Sequence, residues 1–89
     1  MSHEIFQKEL DRLVGLLKVS QINFELAMLA KRAYQERMDG ANPMNFTAQV
    51  YEQYDKLSDE LRAKTKERIT AAQALQSFLE PLTQLTFYV

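Results

Sequence analysis

The stretch Asp39-Gly40-Ala41-Asn42-Pro43 decides the fold, because it holds two of the only four Gly and Pro residues in this 89-residue chain. Gly40 suits the left-handed residue that closes many helices. Asn42 suits a helix cap, and Pro43 suits the first position of a helix, where its missing N–H costs nothing. We therefore expect one helix to end and another to begin here. Two helices joined by so short a turn should lie antiparallel.

Ser2 and Pro81 set the outer limits of these helices. Ser2 is a plausible N-cap, so helix 1 is predicted from about residue 3 to residue 38. Helix 2 is predicted from about residue 43 to residue 80, because Pro81 should end or kink it. Residues 83–89 then form a short apolar C-terminal tail, expected to fold back over the helices; docking on a second subunit or on a partner stays open. The predicted fold is all-α, with residues 1–89 forming a single domain, an antiparallel helical hairpin.

The spacing of the apolar residues predicts the surface on which the two helices meet. The helix 1 positions follow steps of three and four: Phe6, Leu10, Leu13, Leu17, Phe24 and Met28. The helix 2 positions do nearly the same: Val50, Tyr54, Leu57, Leu61, Thr65, Ile69, Ala72, Leu75, Leu79 and Leu82. Folding the chain near residue 41 would place Leu13 against Ile69. Such matched stripes are typical of antiparallel helix pairs.

Helix 1 carries a second apolar stripe, centred almost opposite the first. It consists of Val19, Ile22, Leu26, Leu29 and Ala33. One neighbouring helix cannot cover both sides of helix 1, which leaves two solutions. In the favoured one, the second stripe packs on another copy, so that hairpins dimerise into a four-helix bundle of the coiled-coil type. In the alternative, helix 1 breaks near residues 15–20, and the chain closes as a monomeric three-helix bundle.

Composition argues against most chemistry. The chain has no cysteine and one histidine, His3, so we expect no thiolate metal site, no cofactor and no enzyme activity. Eleven Lys and Arg residues balance twelve Asp and Glu residues, which argues against nucleic acid as a partner. No apolar run approaches the roughly 18 residues of a membrane span, so we expect a soluble protein without a membrane span. The expected location is cytoplasmic by default, since no cleavable signal is visible, with signal-independent secretion left open.

Two further surfaces are candidates for binding a partner. Aromatic residues near the turn and in the tail provide area at low entropic cost: Tyr34, Phe46, Tyr51, Phe87 and Tyr88. Those near the turn are expected above all to pack the closed end of the hairpin. The most basic local patch consists of Arg62, Lys64, Lys66 and Arg68. It lies in a charge-dense segment that is expected to form a solvent-exposed helix face.

The order of helix, turn with Asn42-Pro43, and second helix beginning with Ala48-Gln49 resembles type III secretion needle subunits and small helical-hairpin secreted proteins. The resemblance covers about half of the chain. The Trp-x-Gly turn of the hairpin secreted proteins is missing here, and the chain ends in Phe87-Tyr88-Val89. What it implies is a structural subunit or a chaperone of a secretion apparatus.

Three functions follow as hypotheses. The first is a non-catalytic protein–protein interaction module (an adaptor, inhibitor or chaperone-like protein) that self-associates through the second stripe and binds another protein of unknown identity. The second is a structural subunit or chaperone of bacterial secretion or phage assembly. The third is a small nucleic-acid-binding regulator that uses the basic patch.

Overall fold

A computed structural model describes residues 2–88 of the chain, with side chains described for residues 2–81. Helix α1 spans His3–Asp39, a single 3-10 turn spans Pro43–Asn45, and helix α2 spans Ala48–Tyr88. Between residues 2 and 88 there is no strand. The two long helices run antiparallel, so that Phe6 near the start of the chain stacks on Phe78 at 5.1 Å between ring centroids. The predicted all-α hairpin is confirmed.

Helix α1 is continuous through residues 15–20, so the alternative three-helix bundle is wrong. Its start is capped as predicted, because the Ser2 hydroxyl accepts a hydrogen bond from the N–H of Ile5 at 3.3 Å. A glycine inside a helix costs only about 1 kcal/mol relative to alanine, so Gly15 does not force a break. The buried Ser20 hydroxyl donates to the Leu17 carbonyl at 2.9 Å, which satisfies its hydrogen-bonding need within the helix.

The end of α1 differs from the predicted left-handed cap. Gly40 has φ −85° and ψ −7°, a right-handed conformation. Its N–H donates to the Glu36 carbonyl at 3.1 Å, and the N–H of Ala41 donates to the Met38 carbonyl at 3.2 Å. A tightened last turn therefore satisfies these carbonyls without a positive φ. Nothing in this backbone requires glycine.

Helix α2 begins later than the predicted Pro43. The Asn42 side chain accepts from the N–H of Met44 at 3.0 Å, and Pro43 occupies the first helical position, as expected. This start yields one 3-10 turn only, because Phe46 then adopts extended backbone with φ −75° and ψ 123°. The continuous helix begins at Ala48, with the Thr47 carbonyl accepting from the N–H of Val50 at 3.0 Å.

Helix α2 also ends later than predicted. It runs through Pro81 to Tyr88, so the expected end at Leu79 or Glu80 is wrong. The fixed φ of proline, near −65°, is itself helical, so Pro81 removes a hydrogen-bond donor without turning the chain out of the helix. Residues 83–88 of the predicted tail therefore belong to α2. Their proposed fold-back concerns side chains outside the described part of the chain.

Burial along both helices repeats every seven residues and defines the seam, the surface on which α1 and α2 meet. On α1 the buried and half-buried seam positions are Phe6, Leu10, Leu13, Leu17, Ser20, Phe24, Ala27, Lys31 and Tyr34. On α2 the half-buried seam positions are Val50, Tyr54, Leu57, Leu61, Lys64, Arg68, Ala71, Leu75 and Phe78. Ile69, predicted to meet Leu13, is exposed instead. The predicted row of apolar residues takes several successive steps of four residues, so it moves gradually around α2. A row in which steps of three and four strictly alternate stays on the side that faces one neighbouring helix.

Substituting Gly40 with alanine tests the right-handed end of α1. A Cβ at this position would lie 3.6 Å from the Glu36 carbonyl oxygen, an ordinary contact. We expect Gly40→Ala to stabilise the protein by roughly 0.4–1 kcal/mol, because alanine restricts the unfolded chain and the native φ suits it. Thermal unfolding at fixed protein concentration measures this, with Gly15→Ala as a helix-interior control. A loss of stability on Gly40→Ala, beside a gain on Gly15→Ala, would contradict a right-handed Gly40.

Candidate interaction surface

The second stripe lies on the side of α1 that faces away from α2. Val19, Ile22, Leu26 and Leu29 are 57%, 55%, 60% and 52% exposed, and Ala33 is exposed as well. By contrast, the seam residues Leu13, Ser20 and Ala27 on the other side of α1 are buried. The structure therefore places the five residues of the stripe together, with no other described part of the chain over them.

This arrangement makes α1 apolar enough to resemble a membrane-crossing helix. By length and composition α1 meets the criterion for a span, with an 18-residue window of mean hydropathy 1.4, of which 11% is buried. The expectation that no segment approaches a membrane span is thus amended to one helix, α1, that does so by length and composition. Its apolar residues come from the second stripe and the seam together. Lys18 and Glu25 lie within α1, each directly before a residue of the second stripe. A charged side chain at the centre of a bilayer costs about 2.5–3.5 kcal/mol.

An open groove of about 490 Å³ runs beside the second stripe, between the two helices. Val19 belongs both to the stripe and to the groove wall, so the two surfaces are continuous. Leu16, which is exposed, adds a large apolar side chain on the α1 side, and Ala71 and Ala74 line the α2 side. Leu16 is not among the predicted residues of the stripe, although its position three residues before Val19 extends the stripe by one step.

The seam itself is not purely apolar. Lys31 holds its ammonium nitrogen 5.4 Å from the ring centre of Tyr54, and the Arg68 guanidinium lies 4.1 Å from the ring centre of Phe24. Such cation–ring contacts contribute about 0.5–1 kcal/mol at exposed sites and more when desolvated. Apolar stems can pack while the charged ends reach water. Among the described residues no ion pair joins α1 to α2. Lys31 and Arg68 instead contact aromatic rings of the opposite helix.

Aromatic residues pack the closed end of the hairpin, as expected. The Tyr34 hydroxyl donates to the Val50 carbonyl at 3.1 Å and so connects α1 to the first turn of α2. Phe46 meets Tyr51 edge to face, with ring centroids 6.0 Å apart. Tyr51 remains exposed, whereas Tyr34 and Phe46 are half-buried. Phe87 and Tyr88 lie outside the described side chains, so their part in binding stays a prediction.

The predicted basic patch is divided between two faces of α2. Arg62 is exposed and pairs with Asp59 at 3.1 Å, and Lys66 is exposed on the wall of the groove. Lys64 and Arg68 occupy seam positions, where Lys64 pairs with Glu67 at 3.4 Å and Arg68 covers Phe24. The four side chains therefore do not form one cationic surface.

No other cluster suggests chemistry. The part of the chain that the structure describes contains no group of three or more His, Cys, Asp and Glu residues placed to hold a metal ion. A hydrogen bond from Arg12 lowers the pKa of Glu9 and in turn raises the pKa of Arg12, as expected for an exposed pair within one helix. Against known proteins, no family model, no curated protein and no solved structure matches the chain.

Removing the Tyr34 hydroxyl tests whether the closed end holds the helices together. We expect Tyr34→Phe to lower the free energy of unfolding by about 0.5–1.5 kcal/mol, the net value of one hydrogen bond, because the ring stays in place. Tyr51→Phe is the matched control, since among residues 2–81 no hydrogen bond reaches its hydroxyl. Chemical denaturation of both variants measures the difference. Equal stability of the two variants would mean that the Tyr34–Val50 contact contributes nothing.

Proposed function

We propose that this protein is a non-catalytic interaction module that self-associates through the second stripe of α1 and thereby presents a surface to another protein. The observation that carries the proposal is the exposure of Val19, Ile22, Leu26 and Leu29 on one helix face, each more than half exposed. Fully burying a large aliphatic side chain is worth on the order of 1.5–3 kcal/mol before ordering costs. Because these four side chains are already partly covered, burying the rest is worth roughly half of that, about 3–6 kcal/mol per copy, which is a large share of the stability of a small domain.

The amount of surface supports association. The hairpin exposes 7136 Å², whereas a compact monomer of its mass exposes roughly 5,400 Å². The excess of roughly 1,700 Å² is in the range that one partner loses in a permanent interface. The radius of gyration, 19.8 Å, is likewise well above the roughly 12 Å of a compact chain of this length.

A second copy fits the stripe better than a lipid bilayer does. The stripe is bordered by Lys18, Glu25 and Arg32, all exposed, which would have to enter the hydrocarbon or be neutralised. Against another protein the same charges lie at the rim of an apolar contact, where they stay in water. With the stripe covered by a second copy, packing of the coiled-coil type would continue across four helices.

Placing a charge on the stripe tests the proposal. By sedimentation equilibrium we expect the native chain to be a dimer at micromolar concentration, and Ile22→Lys and Leu26→Lys to be monomers, because a lysine at the centre of the contact would be buried without a partner. Gln73→Lys adds the same charge at an exposed position of α2 and should remain a dimer.

Other outcomes separate the alternatives. A native chain that is monomeric at every concentration, with a fold indifferent to Ile22→Lys, would contradict self-association. Species that grow steadily with concentration would favour a polymerising subunit of a secretion or phage assembly. A mobility shift of nucleic acid at low salt, abolished by replacing Arg62 and Lys66, would favour the nucleic-acid-binding regulator.

A further inference from the structure

One edge of the second stripe carries a row of charges spaced seven residues apart and alternating in sign. In chain order the row, named the charged edge, consists of Asp11, Lys18, Glu25, Arg32 and Asp39, all exposed. Lys18, Glu25 and Arg32 each directly precede a residue of the stripe. In a heptad repeat these positions flank the apolar positions, and their charges determine which helix pairs with which and in what orientation.

The charges of this edge have no ion-pair partner within the described residues. The ion pairs there are Glu9–Arg12, Asp59–Arg62 and Lys64–Glu67, and none uses a member of the charged edge. Neighbouring members are separated by about 10 Å along the helix axis, too far to pair with one another. The amide of Gln21 donates to Glu25, which orders that side chain but leaves its charge unbalanced.

We propose that the second stripe packs antiparallel on the stripe of a second copy, with the two-fold axis beside residues 27 and 28. This inference rests on the proposed function and adds the orientation and register of the contact. Leu26 would pack on the partner's Leu29 close to the axis, and Ile22 would pack on the partner's Ala33. Val19 would lie at the end of the contact, beside the partner's Glu36. Both contacts recur by symmetry, as a two-fold interface requires.

The charged edge selects this register. In an antiparallel pair the same edge of each helix faces its counterpart. Glu25 then lies beside the partner's Arg32, and Lys18 lies beside the partner's Asp39, each offset by roughly 3 Å along the axis. With the symmetric copies this makes four contacts between opposite charges.

Other arrangements pair these charges badly. Sliding the antiparallel pair by one heptad brings Lys18 beside the partner's Arg32, and Glu25 beside the partner's Glu25. In a parallel pair the charged edge would face the opposite edge of the stripe, which carries Asn23, Ala30 and Arg37. Arg32 would then lie near the partner's Arg37, and Glu25 would face the partner's Ala30. The slid register would pack Val19 on the partner's Leu29 and Ile22 on the partner's Leu26, so the apolar stripe alone would accept it, and it is the pairing of charges that selects against it.

Charge reversal tests the register. We expect Glu25→Arg and Arg32→Glu each to weaken the dimer by about tenfold in Kd at low salt, because each change creates two like-charge contacts by symmetry. The double variant Glu25→Arg/Arg32→Glu should return to within about twofold of the native Kd. Glu52→Arg makes the same charge change at an exposed position of α2 and should leave the Kd unchanged. The differences should shrink at high salt.

Introduced cysteines test the orientation, since the chain has none of its own. In the antiparallel pair the two copies of residue 19 are roughly 25 Å apart along the axis. A disulfide needs Cα atoms within about 7 Å of each other, so Val19→Cys should not cross-link its own copies. A mixture of Leu26→Cys and Leu29→Cys chains should form the mixed disulfide dimer under the same mild oxidation.

The outcomes distinguish the two proposals from each other. A native chain without any dimer overturns the proposed function and this inference together. A dimer that ignores charge reversal, or whose loss is not rescued by the double variant, overturns the register while leaving self-association intact. Efficient cross-linking through Val19→Cys within such a dimer overturns the antiparallel orientation.

Discussion

A helix with a single neighbour can bury only one of its faces, and the rest of this structure follows from that constraint. The connection between Asp39 and Ala48 is short, so α2 returns along one side of α1 and nowhere else. Leu13 and Ala27 are buried on that side, whereas Leu26 on the far side remains exposed. An apolar residue on the far side of α1 therefore adds nothing to the stability of the isolated hairpin. It contributes only when something else covers it, which is why the second stripe carries the functional proposal.

The seam buries few apolar side chains completely. Lys31 and Arg68 occupy positions where a compact core would hold leucine, and each lies over an aromatic ring. Their long stems cover apolar surface while their charges stay near water. Only Leu13 and Ala27 are buried apolar residues in the described part of the chain. The seam therefore provides only modest hydrophobic stabilisation.

The turn and the second stripe could be read from sequence because both depend on local chemistry. Ser2, Asn42 and Pro43 act within one turn of themselves, and the stripe depends only on spacing along one helix. The details that failed depend on context. Gly40 permits a left-handed conformation but does not require one, and Pro81 removes a hydrogen bond without excluding a helix. The spacing of apolar residues predicts Ile69 on the seam, whereas the seam of the structure continues through Lys64 and Arg68 and leaves Ile69 exposed.

The positions of the contacts between the antiparallel helices also indicate the order in which those contacts form during folding. Tyr34 and Val50 lie close in sequence and meet beside the bend, whereas Phe6 and Phe78 meet only at the open end. The entropic cost of closing a loop rises with the number of residues it contains. Once the closed end has formed, each further seam contact adds one short step to an existing pair of helices instead of closing a new long loop. We therefore expect folding to begin at the bend and to proceed toward the open end. Its first contacts join residues close in sequence, even though the folded molecule is 66 Å long.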